Sequence, residues 1–176
     1  DAKLRGLVAT QTGLALENSR LTATIAHEIA RRERMSREIE IARDVQQKLF
    51  PQRLPQIAGL DCAGFCRPAQ GVGGDYYDFL TVDPNRMAVV VGDVAGHGVA
   101  SGLLLSGVRA GLHLLRADLA DPQAVVERLN LLVRDSGVSR LFMSLVVALF
   151  DRTTGKVQVV TAGHPPALRF RAATGQ

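Results

Sequence analysis

From Asp1 to about residue 50 the chain contains no proline and, after Gly13, no glycine. Those two residue types punctuate ordered segments, so a stretch this long without them reads as a single element. Leu4, Leu7, Leu14, Leu21, Ile25, Met35, Ile39, Ala42 and Leu49 recur on a 3-4 spacing, and such a seam over about seven heptads predicts one long coiled-coil helix. Gln11, Asn18, Glu28 and Arg32 fall on the same register, where polar residues weaken pairing but fix register and oligomer state. Between Ile25 and Ile29 the spacing becomes four and four, a stutter that changes the supercoil locally. The plainer alternative, an amphipathic helix lying on its own domain, conflicts with the length. At about 1.5 Å per residue the helix outruns a domain built from the remaining chain.

Pro51 and Pro55 stop the helix, with Gln52-Arg53-Leu54 as a short rigid connector. Short strands follow: Leu60 to Arg67; Tyr76 to Val82 and Met87 to Gly92, joined around Asp83-Pro84-Asn85-Arg86; and Phe142 to Asp151 with Lys156 to Thr161, joined around Arg152-Thr153-Thr154-Gly155. Two helices intervene, Val99 to Ala117 and Pro122 to Asp135, the second led by Asp121 as N-cap with Pro122 at the first helical position. Hairpins at both ends and a helix pair between them predict the α+β class, with an antiparallel sheet and helices on one face. The expected division is 1–50 as a signalling helix and 51–176 as a catalytic-type domain.

With 176 residues, 47% of them hydrophobic, there is enough chain for one proper core. Apolar runs such as Leu141 to Phe150 fall well short of a membrane helix, and the first residues carry no signal-peptide pattern, so the chain is read as cytoplasmic with no membrane partner. The net charge of +4 is weighted towards residues before position 54, which fits a solvated helix face better than a nucleic-acid patch. Cys62 and Cys66 have no histidines at zinc-ligand spacing nearby and are read as plain buried thiols.

The chemistry concentrates in two acidic glycine motifs. Met87 to Gly92 reads as a buried strand ending at Asp93, followed by a turn through Gly96 and Gly98 into the helix at Val99. Glycines beside a carboxylate let the backbone approach a ligand, so the turn can present Asp93 and a nearby carbonyl to a cation. Gly71-Val-Gly-Gly-Asp-Tyr-Tyr-Asp78 precedes the partner strand, which sets Asp75 beside Asp93 across a hairpin. Two converging carboxylates repel unless a cation bridges them, and an oxygen-only donor set favours Mg²⁺ or Mn²⁺ over zinc. The blander reading has Asp75 and Asp78 capping turns in a glycine loop.

Three motifs occur in order: Val72-Gly-Gly-Asp-Tyr-Tyr-Asp-Phe79, Gly92-Asp-Val-Ala-Gly-His-Gly-Val99 and Thr161-Ala-Gly-His-Pro-Pro166. Together they resemble the SpoIIE/RsbU-type bacterial phosphatases of the metal-dependent PPM superfamily. Ala42-Arg-Asp-Val-Gln-Gln-Lys-Leu-Phe-Pro51 is similar to that family's approach to its catalytic domain, and Val8 to Leu21 is similar to the last helix of a GAF sensor domain. The resemblance implies a PPM-like α/β sandwich with antiparallel sheets. It also implies a two-metal Mn²⁺/Mg²⁺ centre that activates water against a phosphoserine or phosphothreonine of a partner protein, such as an anti-sigma-factor antagonist, in bacterial stress signalling. Carried over, Asp93 bridges the cations, Val94 ligates through its carbonyl and Asp75 binds one metal directly or through water. Asp78 lies behind the ligands, Gly74, Gly96 and Gly98 shape the loops, His97 orients a ligand or sits at the edge, and His164 ties down its own loop. Members of the family continue past Ala-Gly-His-Pro-Pro to a Thr-Asp-Gly segment whose aspartate completes the metal site. Residues 1–176 are therefore expected to form a truncated domain with an incomplete, weakly active or inactive centre. The expected regulatory arrangement is a parallel homodimer through residues 1–50 downstream of a sensor domain.

Two other readings are open. Val89-Val-Val-Gly-Asp93 followed by Gly96-His-Gly-Val-Ala-Ser-Gly102 loosely imitates a dinucleotide-binding turn, which requires a parallel strand ending in an acid about twenty residues on. Alternatively the molecule is a non-catalytic dimeric scaffold that binds partners.

Overall fold

Helix formation over Ala2–Gln47 (α1) follows from the proline-free seam, and the helix ends where the sequence provides stop signals. Lys48 and Leu49 donate their backbone N–H groups to the carbonyls of Val45 and Gln46, tightening the last turn, and the Gln52 amide donates to the carbonyls of Gln47 and Phe50. These bonds satisfy carbonyls that a helix end leaves without partners, just before Pro51 prevents continuation. The computed structural model describes residues 1–67, 71–137, 141–172 and 175. It falls into two compact units, Asp1–Ile41 and Ala42–Gln176, so the final residues of α1 belong to the second. Throughout the first unit every described side chain is exposed, including Leu4 at 66% and Ile25 at 59%. Among the described residues no helix is long and apolar enough to cross a membrane.

The second unit is built on one antiparallel sheet in the order β1-β2-β3-β4, with β1 Asp75–Asp83, β2 Arg86–Val94, β3 Met143–Asp151 and β4 Lys156–Ala162. Period-two alternation sends Tyr76, Asp78 and Leu80 to one face and Asp75, Tyr77 and Phe79 to the other. The first face joins Val90, Val94, Leu145 and Val147 in a core with Leu105, Val108 and Leu112 of α2 (Val99–Leu114), Leu119 of a 3-10 turn (Arg116–Ala120), and Val125 and Leu129 of α3 (Pro122–Asp135). Each fully buried Leu or Val contributes about 1.5–3 kcal/mol. Gly111 brings α2 close to α3, since a Cβ there would meet Leu129 at 3.0 Å and Leu132 at 3.1 Å. Asp121 caps α3 as expected by accepting the Ala124 N–H at 3.1 Å.

Two expectations change. Helix α2 stops at Leu114 rather than Ala117, because the chain tightens into the 3-10 turn that buries Leu119. Leu60 to Arg67 forms no strand: its one bridge is the short Ile57–Leu60 contact, and Phe65 is 85% exposed. Alternation of residues does not make a strand without a neighbour to complete its ladder. The segment instead crosses the sheet's outer face, where the Gly64 carbonyl accepts the Tyr77 hydroxyl at 3.2 Å. A Cβ at Gly64 would strike the Tyr77 ring.

Candidate metal centre

The β1–β2 hairpin places Asp75 directly opposite Asp93. The turn sets this register: Asp83 accepts the Asn85 N–H at 2.8 Å and the Arg86 Nε–H at 2.6 Å. The Asn85 bond, followed by the Arg86 bond, lowers the Asp83 pKa. Side chains opposite each other on an antiparallel pair share a face at about 4.5–5.5 Å between Cβ atoms, and like charges so placed repel. Asp75 and Asp93 are both exposed on the outer face. Adjacent to them, the Val94 N–H donates to the Gly74 carbonyl at 3.1 Å. A Cβ on Gly74 would overlap the Val94 carbonyl and lie 3.0 Å from the Asp93 carboxylate. Gly74 thus leaves open the space beside the Val94 carbonyl and the Asp93 carboxylate, with Asp75 the cross-strand partner of Asp93. This all-oxygen donor set suits Mg²⁺ or Mn²⁺, which retain several waters. Among the described residues no group of three His, Cys, Asp or Glu side chains comes together to hold a metal.

The glycine loop before Asp75 is held from several sides. The Gln46 side chain is 5% exposed; its Nε2 donates to the Gly73 carbonyl at 2.7 Å and its Oε1 accepts the Gly73 N–H at 3.0 Å. Val72 seats against Gly102 of α2, where a Cβ would lie 2.6 Å from its methyl group, and its carbonyl accepts the Gly98 N–H at 3.0 Å. Gly96 and Gly98 have φ of 93° and 90°, a region closed to most other residues, so the turn into α2 requires them. His97 between them is exposed. Sequence reasoning overlooked Gln46, whose only local signal was a polar residue within the Ala42 to Pro51 motif.

Asp78 does not stand behind the ligands. Three residues from Asp75 on a strand is an odd offset, so its side chain points to the helix-covered face. There it is 4% exposed and accepts the Tyr76 hydroxyl at 2.7 Å and the Phe79 N–H at 2.8 Å, and it pairs with His113 Nε2 at 2.9 Å. Burial, reinforced by the Asp78 charge and hydrogen bond, pushes the Tyr76 hydroxyl pKa far up. Arg109 fastens the same region by donating from Nε to the Leu49 carbonyl at 2.6 Å.

On the other side of Asp93 the row continues to β3. Ser144 is its Cα partner, with its hydroxyl 3.4 Å from the Asp93 carbonyl and 2.8 Å from His164 Nδ1. His164, Asp75, Cys66, Arg67 and Tyr77 share the wall of one cavity of about 440 Å³. Cys62 and Cys66 are free thiols; burial raises the Cys66 pKa and the Asp75 carboxylate adds to the effect. Among the described residues the sheet is fully antiparallel, with a 3-10 turn at Arg116–Ala120, and holds no parallel strand of the kind a dinucleotide site requires.

Residues 83–176 match the family described as Stage II sporulation protein E (SpoIIE). The chain is 29% identical over 133 residues to phosphoserine phosphatase RsbU of Bacillus subtilis (strain 168), covering 76% of this chain and 39% of that protein. It is 24% identical over 136 residues to phosphoserine phosphatase RsbP of the same organism, covering 75% of this chain and 34% of that one. The chain thus spans less than two fifths of either relative. Among solved structures, the RsbU and RsbW domains of Rv1364c from Mycobacterium tuberculosis align with TM-score 0.50 and 31% identity over 57% of this chain and 28% of that one. The SiaA-PP2C domain of Pseudomonas aeruginosa aligns with TM-score 0.59 and 21% identity over 76% of this chain and 55% of that one, a likeness of fold.

Proposed function

The chain belongs to the SpoIIE family, and from that premise we propose that Ala42–Gln176 carries the centre of a Mn²⁺- or Mg²⁺-dependent protein phosphatase acting on phosphoserine or phosphothreonine of a partner protein in bacterial signalling. The observation that carries the reading is the Asp75–Asp93 pair beside the Val94 carbonyl, with Gly74 leaving the space open. When bound, the cations supply charge neutralisation and an acidified water for phosphoryl transfer. Asp93 and Asp75 would hold them, with Val94 contributing its carbonyl. The loop residues Val72 to Gly74 keep that donor set in place before substrate arrives, which is how a site avoids reorganisation during reaction.

Regulation enters through α1. Gln46 lies in its last turn and bonds Gly73, two residues from Asp75. Displacing that turn leaves a buried amide without partners, at about 1–3 kcal/mol, which matches typical coupling between allosteric sites. The exposed seam from Leu4 to Ile39 supports pairing with a second copy in a parallel coiled coil, below a sensor domain. Phosphate release from a phosphoserine protein by the natural polypeptide that carries these residues tests the catalytic proposal. Turnover that survives complete chelation of divalent cations contradicts it.

A further inference from the structure

We propose that the turn from Gly96 to Ser101 is a binding site for a phosphate oxyanion, formed by the N-terminus of α2 together with the Ser101 hydroxyl. The inference deepens the phosphatase reading by naming groups of this chain that take phosphoryl oxygens. Its first test needs neither metal nor turnover.

Two independent features of the turn leave polar groups without partners. Gly98 stands at the N-cap of α2 and has no side chain to cap the helix, and the first turn carries no acidic residue. Gly98 donates its N–H to the Val72 carbonyl at 3.0 Å, and its carbonyl accepts the Gly102 N–H at 3.2 Å. Val99, Ala100 and Ser101 are left with N–H groups that have no partner among the described residues, as in any first helical turn that nothing outside it satisfies. The positive end of the helix dipole gathers at the same point, which is why such ends hold phosphates. The second feature is the Ser101 side chain, which is 1% exposed and whose Oγ has no hydrogen-bond partner among the described residues. A buried hydroxyl left in that condition is destabilising until an ion or a water supplies the bond.

Ser101 is aimed at the turn. Side chains of a helix lean back toward its N-terminus, and the Ser101 Oγ lies 3.6 Å from the point that a Cβ on Gly96 would occupy. Gly96 therefore leaves a notch over the hydroxyl, and Gly96, His97 and Ala100 around it are exposed. A tetrahedral oxyanion suits this arrangement, with one oxygen in the notch for the Ser101 O–H and the others for the first-turn N–H groups. A water gives the hydroxyl its bond but brings no negative charge to the helix end. The turn follows Asp93 and Val94 directly in the chain, so an oxyanion held there adjoins the carboxylate pair.

Inorganic phosphate is the probe, added to the natural polypeptide stripped of metal by a chelator and compared with sodium chloride at equal ionic strength. Phosphate should move the amide resonances of Val99, Ala100 and Ser101 and raise the unfolding midpoint, as a ligand of the folded state does. Val99→Pro removes one donor at the helical position that proline suits best, and Ser101→Ala removes the hydroxyl. Each should weaken phosphate binding about tenfold, within the range for hydrogen bonds to charged groups. Chloride acting as well as phosphate overturns the proposal. So does phosphate binding unchanged in both variants, the result that a buried water at Ser101 would give. If Val99→Pro fails to fold, Ser101→Ala decides alone. With Mn²⁺ restored, kinetics identify the source of the oxyanion. The phosphoserine-peptide KM and the phosphate inhibition constant rise together in the variants if the site takes the substrate's phosphoryl group; the inhibition constant alone rises if it takes released phosphate. Neither rising overturns the link to the reaction. A wild-type protein that binds phosphate without metal but hydrolyses no phosphoserine protein with Mn²⁺ keeps this site and overturns the phosphatase reading.

Discussion

Gln46 grips Gly73 with both ends of its amide, donating at 2.7 Å and accepting at 3.0 Å across 27 residues of sequence. A helix end and a glycine loop are thereby fastened as though they belonged to one ladder. Gln46→Ala removes both bonds and leaves two loop backbone groups to find water. We expect the apparent Mn²⁺ affinity to fall about tenfold, equivalent to roughly 1.4 kcal/mol, with kcat recovering at high Mn²⁺. Metal-dependence curves of mutant and wild type provide the check, and superimposable curves would count against this fastening as a control point.

Asp93→Asn keeps the shape of the side chain and removes its charge. Mn²⁺-dependent turnover is expected to fall to background while the far-ultraviolet circular dichroism and unfolding midpoint stay near wild type, because Asp93 is exposed and outside the core. Retained turnover at saturating Mn²⁺ would remove it from the ligand set.

Asp78 behaves differently because it faces the core. Asp78→Ala strands the Tyr76 hydroxyl and releases His113, so stability should drop by about 1–3 kcal/mol. Mn²⁺ affinity of the folded fraction should be unchanged. Denaturant unfolding and calorimetric metal titration separate the two quantities, and a loss of affinity without a loss of stability would return Asp78 to the metal side.

Asp151 provides a pH signature. It accepts the Thr153 hydroxyl at 2.6 Å and the Thr153 and Thr154 N–H groups at 2.8 and 3.2 Å, and its pKa is lowered to about 2, chiefly by the Thr153 hydroxyl. A carboxylate whose folded pKa is depressed stabilises the fold above its unfolded value, near 4, and loses that contribution as pH falls towards 2. Asp151→Asn should flatten the acid side of the stability curve between those limits. Identical wild-type and variant curves there would dismiss the hairpin contribution.

Glu28→Leu with Arg32→Leu makes the seam more apolar. Sedimentation should show tighter self-association, and the signal response should freeze, high or low. Wild type and variant that are both monomeric at tens of micromolar would exclude the dimer.

The pairing of Asp75 with Asp93 was legible because the turn at Asp83 to Arg86 sets the register, and a register once set places every later residue of both strands. The same rule applied to Asp78 would have put it on the far face, since its offset from Asp75 is odd; the acidic character of the motif drew it into the metal site instead. Gln46 was not legible, because one of two adjacent glutamines on a solvated helix is distinguished only by a loop that folds against it. Leu60 to Arg67 carried the local pattern of a strand, but pairing is supplied by a neighbour rather than by the segment.

Helix α1 has a further consequence. Every described side chain of Asp1–Ile41 is exposed, so within one chain this stretch draws no stabilisation from burial and relies on intrinsic propensity, which leaves isolated helices prone to fraying. If two copies pair as proposed, its order depends on protein concentration. Helicity and assembly would melt as one transition, with a midpoint that rises as the protein is concentrated, and an upstream sensor could act simply by holding two such segments close together.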